Sequence, residues 1–325
     1  MAGSRYEANI ANVGIASFCR APICEDFEKI ESDIAVLGIP YDASSGWRAG
    51  ARGGPRDIRT YSPRHSLTGN FDNPGHFDAY TKRCFLAGTT MVDCGDVDIA
   101  YTDIDRNFGL ITNNVGRILD RGAFPLLLGG DHSISFPIVR AFERFAPLSV
   151  VHFDAHMDYH MDMGGYLYSN GSVLRRVSEL EFVDKMVHLG IRQCTTAEYA
   201  AAAERGNQFV TRDDIRRQGV QAVVDAMPEM ENIYVTFDID ALDPSVAPGT
   251  GTPLVDGLYY HEARELLRGI ATKGKVVGMD LVEVNPYFDT TGRTSLAAVR
   301  LMIEFLGDVF VEHQVEPDWA RFRRP

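Results

Sequence analysis

The amino-acid sequence predicts an α/β fold with a mainly parallel sheet that is covered by helices on both faces. Short apolar runs of strand length alternate with longer segments in which apolar residues recur at helical spacing. No Pro/Ser-rich linker, low-complexity tract or clear internal repeat divides the 325 residues. This alternation is typical of right-handed strand–helix–strand crossovers, which make neighbouring strands parallel.

The predicted strands are apolar runs that end in polar or glycine-rich turns. The first is IAVLGI at residues 34–39, and the second, at 91–92, leads into the polar turn DCGD. Their continuous apolar character is typical of strands buried on both faces. The remaining strand candidates are residues 124–128, 148–153, 185–189, 209–210, 233–237 and 276–282.

The predicted helices lie between these strands. In residues 105–121, apolar side chains recur every three or four positions from Phe108 to Leu119, and Gly122 follows the end. A shorter helix is predicted over residues 57–61, after the glycine-rich run RAGARGGPR. The other predicted helices are residues 133–145, 172–180, 212–226, 261–272 and 294–313.

The chain divides into two parts of unequal size. Residues 1–30 alternate little and are predicted to form an N-terminal extension that packs on a neighbouring subunit. Residues 31–325 are predicted to form one large domain.

Charge and hydropathy exclude two classes of partner. A formal net charge of −13 argues against nucleic-acid binding, because phosphate contacts require clustered Lys and Arg. No apolar run approaches transmembrane length, so no membrane partner is expected. An acidic surface is compatible with a small cationic ligand.

The cysteines and the N-terminus favour a cytoplasmic protein. The five cysteines are scattered, and Cys19 and Cys24 lack a second close pair for a thiolate zinc site. We therefore expect reduced thiols. Residues 1–12 contain no apolar core of signal-peptide length.

Three polar runs follow predicted strands directly: GGDHS at 129–133, DAHMD at 154–158 and DIDALDP at 238–244. Because functional groups collect at the carboxyl ends of parallel strands, we expect these runs to meet. Alternate positions within the second and third runs point to one side if the strand stays extended. The six candidate metal ligands are His132, Asp154, His156, Asp158, Asp238 and Asp240.

This donor set predicts two divalent cations. Oxygen with some nitrogen and no sulfur suits Mn²⁺ or a similar ion, and Ni²⁺ also accepts such ligands. Four carboxylates balance two divalent ions, whereas four unpaired acids would repel one another. Two ions about 3.5–4 Å apart can share one water and activate it as a nucleophile.

Each run taken alone has a simpler interpretation. GGDHS is most often a capped strand-to-helix turn, and DAHMD could be a polar strand end. DIDALDP could be a mononuclear Mg²⁺ site or a capped turn. Their joint occurrence, in this order and each at a strand end, favours the metal cluster.

The same runs, with several others, resemble the ureohydrolase (arginase/agmatinase) family, and its agmatinase-like branch in particular. The resemblance extends from about Ile34 to the last helix. It implies a three-layer α/β/α catalytic domain, usually assembled into trimers or hexamers. The further matching runs are GIPYDASSGWRAGARGGPRDIR at 38–59, APGTGTP at 247–253 and DLVEVNP at 280–286.

The resemblance also implies how the ligands are shared. One ion would be held by His132, Asp154, Asp158 and either Asp238 or Asp240. The other would be held by His156, Asp154 and the two carboxylates of Asp238 and Asp240. Which carboxylates bridge the ions is left open.

The implied reaction is hydrolysis of a guanidino group. Hydroxide generated between the ions would attack the guanidinium carbon, and urea and an amine would leave. The resemblance assigns Glu283 to the substrate guanidinium, whose planar donors match a carboxylate. Asp158 would hold the hydroxide and pass its proton to the leaving amine.

The chain departs from the family pattern after the second run. The stretch YSNGS at 168–172 has Asn170 where agmatinase-like sequences have a His assigned to proton transfer or substrate contact. An amide cannot relay protons as imidazole does. Asn170 is therefore a substrate-pocket candidate, and His160, in a polar loop near Asp158, is another.

The substrate is left open among guanidino compounds. The loop YHMDMGGY at 159–166 does not match the arginase loop that fixes an α-amino acid, and its Met and Tyr content suits a smaller or alkyl-bearing guanidine. LVD at 254–256 also replaces the family's usual EPG. Agmatine, guanidino acids, guanidine itself and N-alkyl guanidines or biguanides are all candidates.

Two other classes compete with a homo-oligomeric ureohydrolase. A non-catalytic subunit of a hetero-oligomer with an active paralogue is motivated by Asn170. A deacetylase-type relative is disfavoured, because that line carries one zinc and a different His/Tyr arrangement.

Overall fold

An eight-stranded parallel sheet forms the centre of the structure. The computed structural model describes residues 13–65, 75–100 and 102–314. Within these residues the strands in chain order are β1 (Ile34–Gly38), β2 (His76–Asp78), β3 (Arg83–Phe85), β4 (Met91–Asp96), β5 (Phe124–Leu128), β6 (Leu148–Phe153), β7 (Val183–Ile191), β8 (Gln208–Thr211), β9 (Asn232–Asp238) and β10 (Lys275–Val282). Eight of them form the sheet in the order β4-β1-β5-β10-β9-β6-β7-β8, and every pairing in it is parallel, whereas β2 and β3 form a separate hairpin.

Helices cover both faces of the sheet, so the predicted three-layer α/β/α fold is confirmed. Leu126 and Leu128 of β5 join one apolar cluster, and Leu127 joins the other, since alternate side chains of a strand point to opposite faces. The α-helices are α1 (Gly54–Tyr61), α2 (Ile104–Asp120), α3 (Ser135–Val139), α4 (Val173–Ser178), α5 (Thr196–Glu204), α6 (Arg212–Gln218), α7 (Val220–Ala226), α8 (Tyr260–Ile270) and α9 (Arg293–Val309). No helix among the described residues is both long and apolar enough to cross a membrane.

Local chemistry explains where the helix predictions were wrong. The segment 133–145 is not one helix, because Pro137 has no N–H for the carbonyl of residue 133, and 3₁₀ turns flank α3. The predicted helix 212–226 is divided at Gly219, whose φ of 82° is incompatible with a right-handed helix.

Helix α5 and the β2–β3 hairpin were not predicted. Helix α5 begins with a reciprocal capping box between Thr195 and Glu198, a pattern that the sequence displays as T-x-x-E. The β2–β3 hairpin is too short to show a clear alternation.

The described part of the predicted N-terminal extension lies along the edge strand β4. The Phe18 N–H donates to Asp93 Oδ2 at 2.8 Å, and the Cys24 N–H donates to the Asp93 carbonyl at 2.8 Å. Phe18 and Ile30 are buried within this same chain. Residues 1–12 lie outside the described residues, and the division at residue 30 stays a prediction.

Asp289 fixes the segment that joins β10 to α9. Its carboxylate accepts hydrogen bonds from the backbone N–H and the hydroxyl of both Thr291 and Thr294. Although burial opposes ionisation, these hydrogen bonds lower the pKa of Asp289 to about 2. The ionised carboxylate therefore stabilises the fold.

We expect Asp289→Ala to lower the free energy of unfolding by about 1–3 kcal/mol at pH 7, because four donors lose their acceptor. The folded pKa of Asp289 lies below the ordinary value of about 4, so the decrease in the free energy of unfolding should be largest above about pH 4. The decrease should become smaller as the pH falls towards 2. Urea unfolding at several pH values measures it. The control is Asp225→Ala, on an exposed face of α7; equal losses in both variants would contradict this role.

Candidate metal centre

Four adjacent strands bring the predicted functional residues to one edge of the sheet. The order β5-β10-β9-β6 places the carboxyl ends of these strands side by side. The run 129–133 follows β5, Glu283 follows β10, the run 238–244 begins at the end of β9, and the run 154–158 follows β6. Parallel pairing alone therefore gathers the three polar runs and Glu283.

The imidazole of His132 faces three carboxylates. Its Nδ1 lies 3.1 Å from Asp154 Oδ2, 3.3 Å from Asp158 Oδ2 and 3.3 Å from Asp238 Oδ2. All four side chains are buried or nearly so. One nitrogen and three oxygens thus surround a small, dry volume.

A second group of donors lies beside the first and shares Asp154. His156 Nδ1 lies 3.3 Å from Asp154 Oδ1 and 3.1 Å from Asp240 Oδ2. Asp154 therefore directs one carboxylate oxygen towards each imidazole. This is the arrangement that a carboxylate bridging two cations requires.

The tautomer of His132 fits a metal ligand. The Thr236 hydroxyl donates to Asp280 Oδ1 at 2.6 Å, so its oxygen accepts from His132 Nε2–H at 2.9 Å. Nδ1 then carries the lone pair, and it is buried without a hydrogen-bond partner. A lone pair directed at carboxylate oxygens is favourable only when a proton or a metal cation lies between them.

Burial and like charge oppose ionisation of this cluster. Burial and the charge of Asp154 raise the pKa of Asp158 to about 7, and burial with the charge of Asp240 raises the pKa of Asp238 well above its usual range. Although burial opposes it, the hydrogen bonds of Asp154 and Asp240 raise the pKa of His156 to about 12. The cluster therefore needs positive charge, which protons or divalent cations can provide.

A row of imidazoles behind Asp154 was not predicted from the sequence. His152 Nε2 lies 2.9 Å from Asp154 Oδ2, and its Nδ1 lies 2.9 Å from Nδ1 of His188. The other His188 nitrogen, Nε2, lies 3.0 Å from Asn207 Nδ2. Hydrogen bonds directed from Asn207 through both rings leave each histidine neutral and fix the orientation of Asp154. The position of His152 in β6, two residues before Asp154, was the available signal.

Both residues predicted to act in catalysis have left-handed backbone. Asp158 has a φ of 50° and Glu283 a φ of 62°, a region that non-glycine residues seldom adopt. Glu283 is 3% exposed, and its Oε1 accepts the His132 N–H at 2.9 Å. Burial and the charge of Asp131 raise the pKa of Glu283 well above its usual range. Sequence patterns gave no sign of this strain.

A cavity of about 1020 Å³ adjoins the cluster. It is lined by His156, Asp158, Asp238 and Glu283 from the strand ends, and both pocket candidates, His160 and Asn170, also line it. His156, Asp158, Asp238 and Glu283 thus form its floor, and residues of the loop 159–171 form one wall.

Hydrogen bonds position the pocket candidates. The Asn170 N–H donates to Ser44 Oγ at 3.0 Å, and the Ser44 hydroxyl donates to Asp131 Oδ2 at 2.8 Å. His160 Nε2 lies 3.5 Å from Glu198 Oε2. The backbone of Asn170 is therefore tied to the loop after β1, and its amide side chain is available to the cavity.

Comparison with known proteins agrees with the fold and the cluster. A sequence profile of the arginase family matches residues 32–307. Guanidinobutyrase from Pseudomonas aeruginosa is 35% identical, with 90% of this chain and 92% of the relative covered. The structure of proclavaminate amidinohydrolase from Streptomyces clavuligerus superposes with a TM-score of 0.80 at 33% identity, covering 92% of this chain and 98% of that one.

A further solved structure carries metal. A formiminoglutamase variant from Trypanosoma cruzi, solved with Mn²⁺, has a TM-score of 0.76 at 26% identity, covering 86% of this chain and 93% of that one. Of the described side chains, two groups bring their donor atoms within 4.8 Å of one another: His132, His152 and Asp154, and Asp154, His156 and Asp240. The chain therefore belongs to the arginase family of ureohydrolases, the hydrolases that act on linear amidines such as guanidino compounds.

Proposed function

We propose that this protein uses two divalent cations to hydrolyse the guanidino group of a small molecule into urea and an amine. The observation that carries the proposal is Asp154, whose two oxygens face two imidazoles, one of which, His156, lines the same cavity as Glu283. Family membership supports the reaction class.

The distances favour one division of the ligands between the ions. Asp158 and Asp238 lie beside His132, whereas Asp240 lies beside His156, and Asp154 reaches both. The first ion would thus be held by His132, Asp154, Asp158 and Asp238, and the second by His156, Asp154 and Asp240. The donors suit Mn²⁺ or Ni²⁺, and Mn²⁺ in the formiminoglutamase structure supports the former.

The side chains around the ions divide the remaining work. When bound, two such cations supply an activated water and stabilise developing negative charge. Glu283 accepts N–H donors of the guanidinium and orients its carbon above the floor of the cavity. Asp158 takes the proton of the attacking water and delivers it to the departing amine nitrogen.

A second candidate function rests on Asn170. Residue 170 lines the cavity, where a histidine could transfer protons. The amide of Asn170 cannot transfer protons in this way. The candidate is a non-catalytic subunit that assembles with an active paralogue. The proposed ligands lie together, and three of them line the cavity with Glu283, which favours the enzyme. A homo-oligomer, trimeric or hexameric, and a cytoplasmic location stay predictions.

Metal binding is tested by thermal unfolding and metal analysis. Adding Mn²⁺ or Ni²⁺ to chelator-treated protein should raise Tm, because a ligand of the folded state stabilises it by about 2.7 kcal/mol at a hundred times its Kd. Asp154→Asn should abolish this rise, since it affects both ions. The exposed Asp225→Asn should retain it. A rise of equal size in Asp154→Asn would contradict the assignment.

Activity is tested by urea release from a panel of guanidines with Mn²⁺ and with Ni²⁺. Glu283→Gln should lower kcat/KM by about ten- to a hundredfold, because a charge-assisted hydrogen bond to the substrate is lost. Its metal content should match that of the unsubstituted protein. Absence of urea with every guanidine, despite two bound ions, would favour the non-catalytic subunit.

The role of residue 170 is tested by restoring the imidazole. We expect Asn170→His to change the pH profile of kcat/KM and to add an inflection near pH 6–7, because an imidazole titrates there. Asn170→Gln, which adds length without a titrating group, is the matched control. An unchanged rate and pH profile in Asn170→His would show that the position has no special role.

A further inference from the structure

Part of the cavity wall is apolar and aromatic, in contrast to the acidic floor. Two of its side chains come from a tight turn in the loop 159–171. Met163 and Tyr166 exchange backbone hydrogen bonds of 3.0 and 3.3 Å across Gly164 and Gly165, both of which have positive φ. The turn therefore presents Met163 and Tyr166 side by side, and they are 45% and 76% exposed.

Two further side chains continue this apolar character. Trp47 lines the cavity and is 71% exposed. Tyr168 also lines it, and its ring stacks on Phe136 with centroids 5.6 Å apart. Together with Met163 and Tyr166, these side chains are called the apolar rim.

The described lining residues offer no Lys or Arg to an anionic substrate tail, and His160, which also lines the cavity, lies beside Glu198. Arg48, next to Trp47 in the chain, stacks its guanidinium on Phe288 at 3.7 Å from the ring centroid and does not line the cavity. Burying a carboxylate against the apolar part of this wall costs free energy that no Lys or Arg of the described lining offsets.

A cationic tail finds a carboxylate that is already engaged. Glu198 lines the cavity and is 5% exposed. Its Oε1 accepts the Tyr159 N–H, and its Oε2 accepts the N–H and the hydroxyl of Thr195. These bonds cap α5, so an ammonium group would have to compete with the helix for Glu198.

We propose that the substrate is a guanidine whose N-substituent is uncharged and apolar, with the guanidinium on Glu283 and the substituent against the apolar rim. The inference rests on the proposed hydrolysis of a guanidino group. A site specific for guanidino acids would need a cation near the carboxylate of the substrate. In this site the acidic floor binds the guanidinium, and the apolar rim has no charged group to pair with a charged tail. A cavity of about 1020 Å³ accommodates an alkyl or aryl-alkyl substituent.

Two matched pairs of compounds test the proposal on the metal-loaded protein. n-Butylguanidine and guanidinobutyrate differ by a methyl and a carboxylate, and n-pentylguanidine and agmatine differ by a methyl and an ammonium. We expect kcat/KM for the alkyl member to exceed that of the charged member by about tenfold or more in each pair. A preference for agmatine would overturn the proposal and indicate that Glu198 pairs with the ammonium group. A preference for guanidinobutyrate that Arg48→Met removes would overturn it and identify Arg48 as the partner.

A substitution in the wall tests the position of the tail. Met163→Arg should raise kcat/KM for guanidinobutyrate and lower it for n-butylguanidine, reversing the preference by about tenfold or more, because a cation now faces the tail. Met161→Arg is the control, since Met161 lies on the same loop, is 58% exposed and does not line the cavity. Equal effects of the two variants on both compounds would contradict the proposed position.

Failure of this inference is distinguishable from failure of the proposed function. If no guanidine releases urea, the function is wrong, and calorimetric Kd values for the same pairs still decide the tail preference. Tighter binding of the alkyl member supports the apolar rim, and equal or weaker binding overturns it.

Discussion

The two oxygens of one buried carboxylate, Asp154, link the two halves of the polar cluster. Each oxygen faces a different imidazole, and the row of His152 and His188 behind it fixes its orientation. A carboxylate that is fully buried and surrounded by other acids is unfavourable unless positive charge compensates it. The strands β5, β6 and β9 therefore hold the carboxylates close enough to share cations.

Backbone conformation and loop ties complete the site. Glu283 is held over the cluster by the His132 N–H, and both it and Asp158 adopt left-handed φ values that cost free energy. The Asp131–Ser44–Asn170 hydrogen bonds connect the loop after β1 to the loop 159–171. The packing of the rest of the sheet thus offsets the free-energy cost of the left-handed backbone at Glu283 and Asp158.

Much of the fold was predictable because strands buried on both faces have a distinctive apolar pattern. Residues 124–128 and 148–153 form strands with the predicted bounds. The helices were predicted less well, since a single residue divides them: Gly219 through its positive φ, and Pro137 through its missing N–H. A residue of this kind can interrupt a helix even where apolar residues keep helical spacing. The spacing alone does not show whether the helix continues through that residue.

By itself the sequence determined the parallel sheet and the collection of Asp and His residues at one edge, because strands that alternate with helices run parallel and parallel strands end together. It also indicated the family, through polar runs at strand ends. Only the tertiary structure decided which nitrogen of His132 faces the acids and that His188 supports Asp154 through His152. It also decided that the apolar rim borders the acidic floor and that the described lining residues include no Lys or Arg. These features depend on contacts between residues distant in the chain, and no local pattern encodes such contacts.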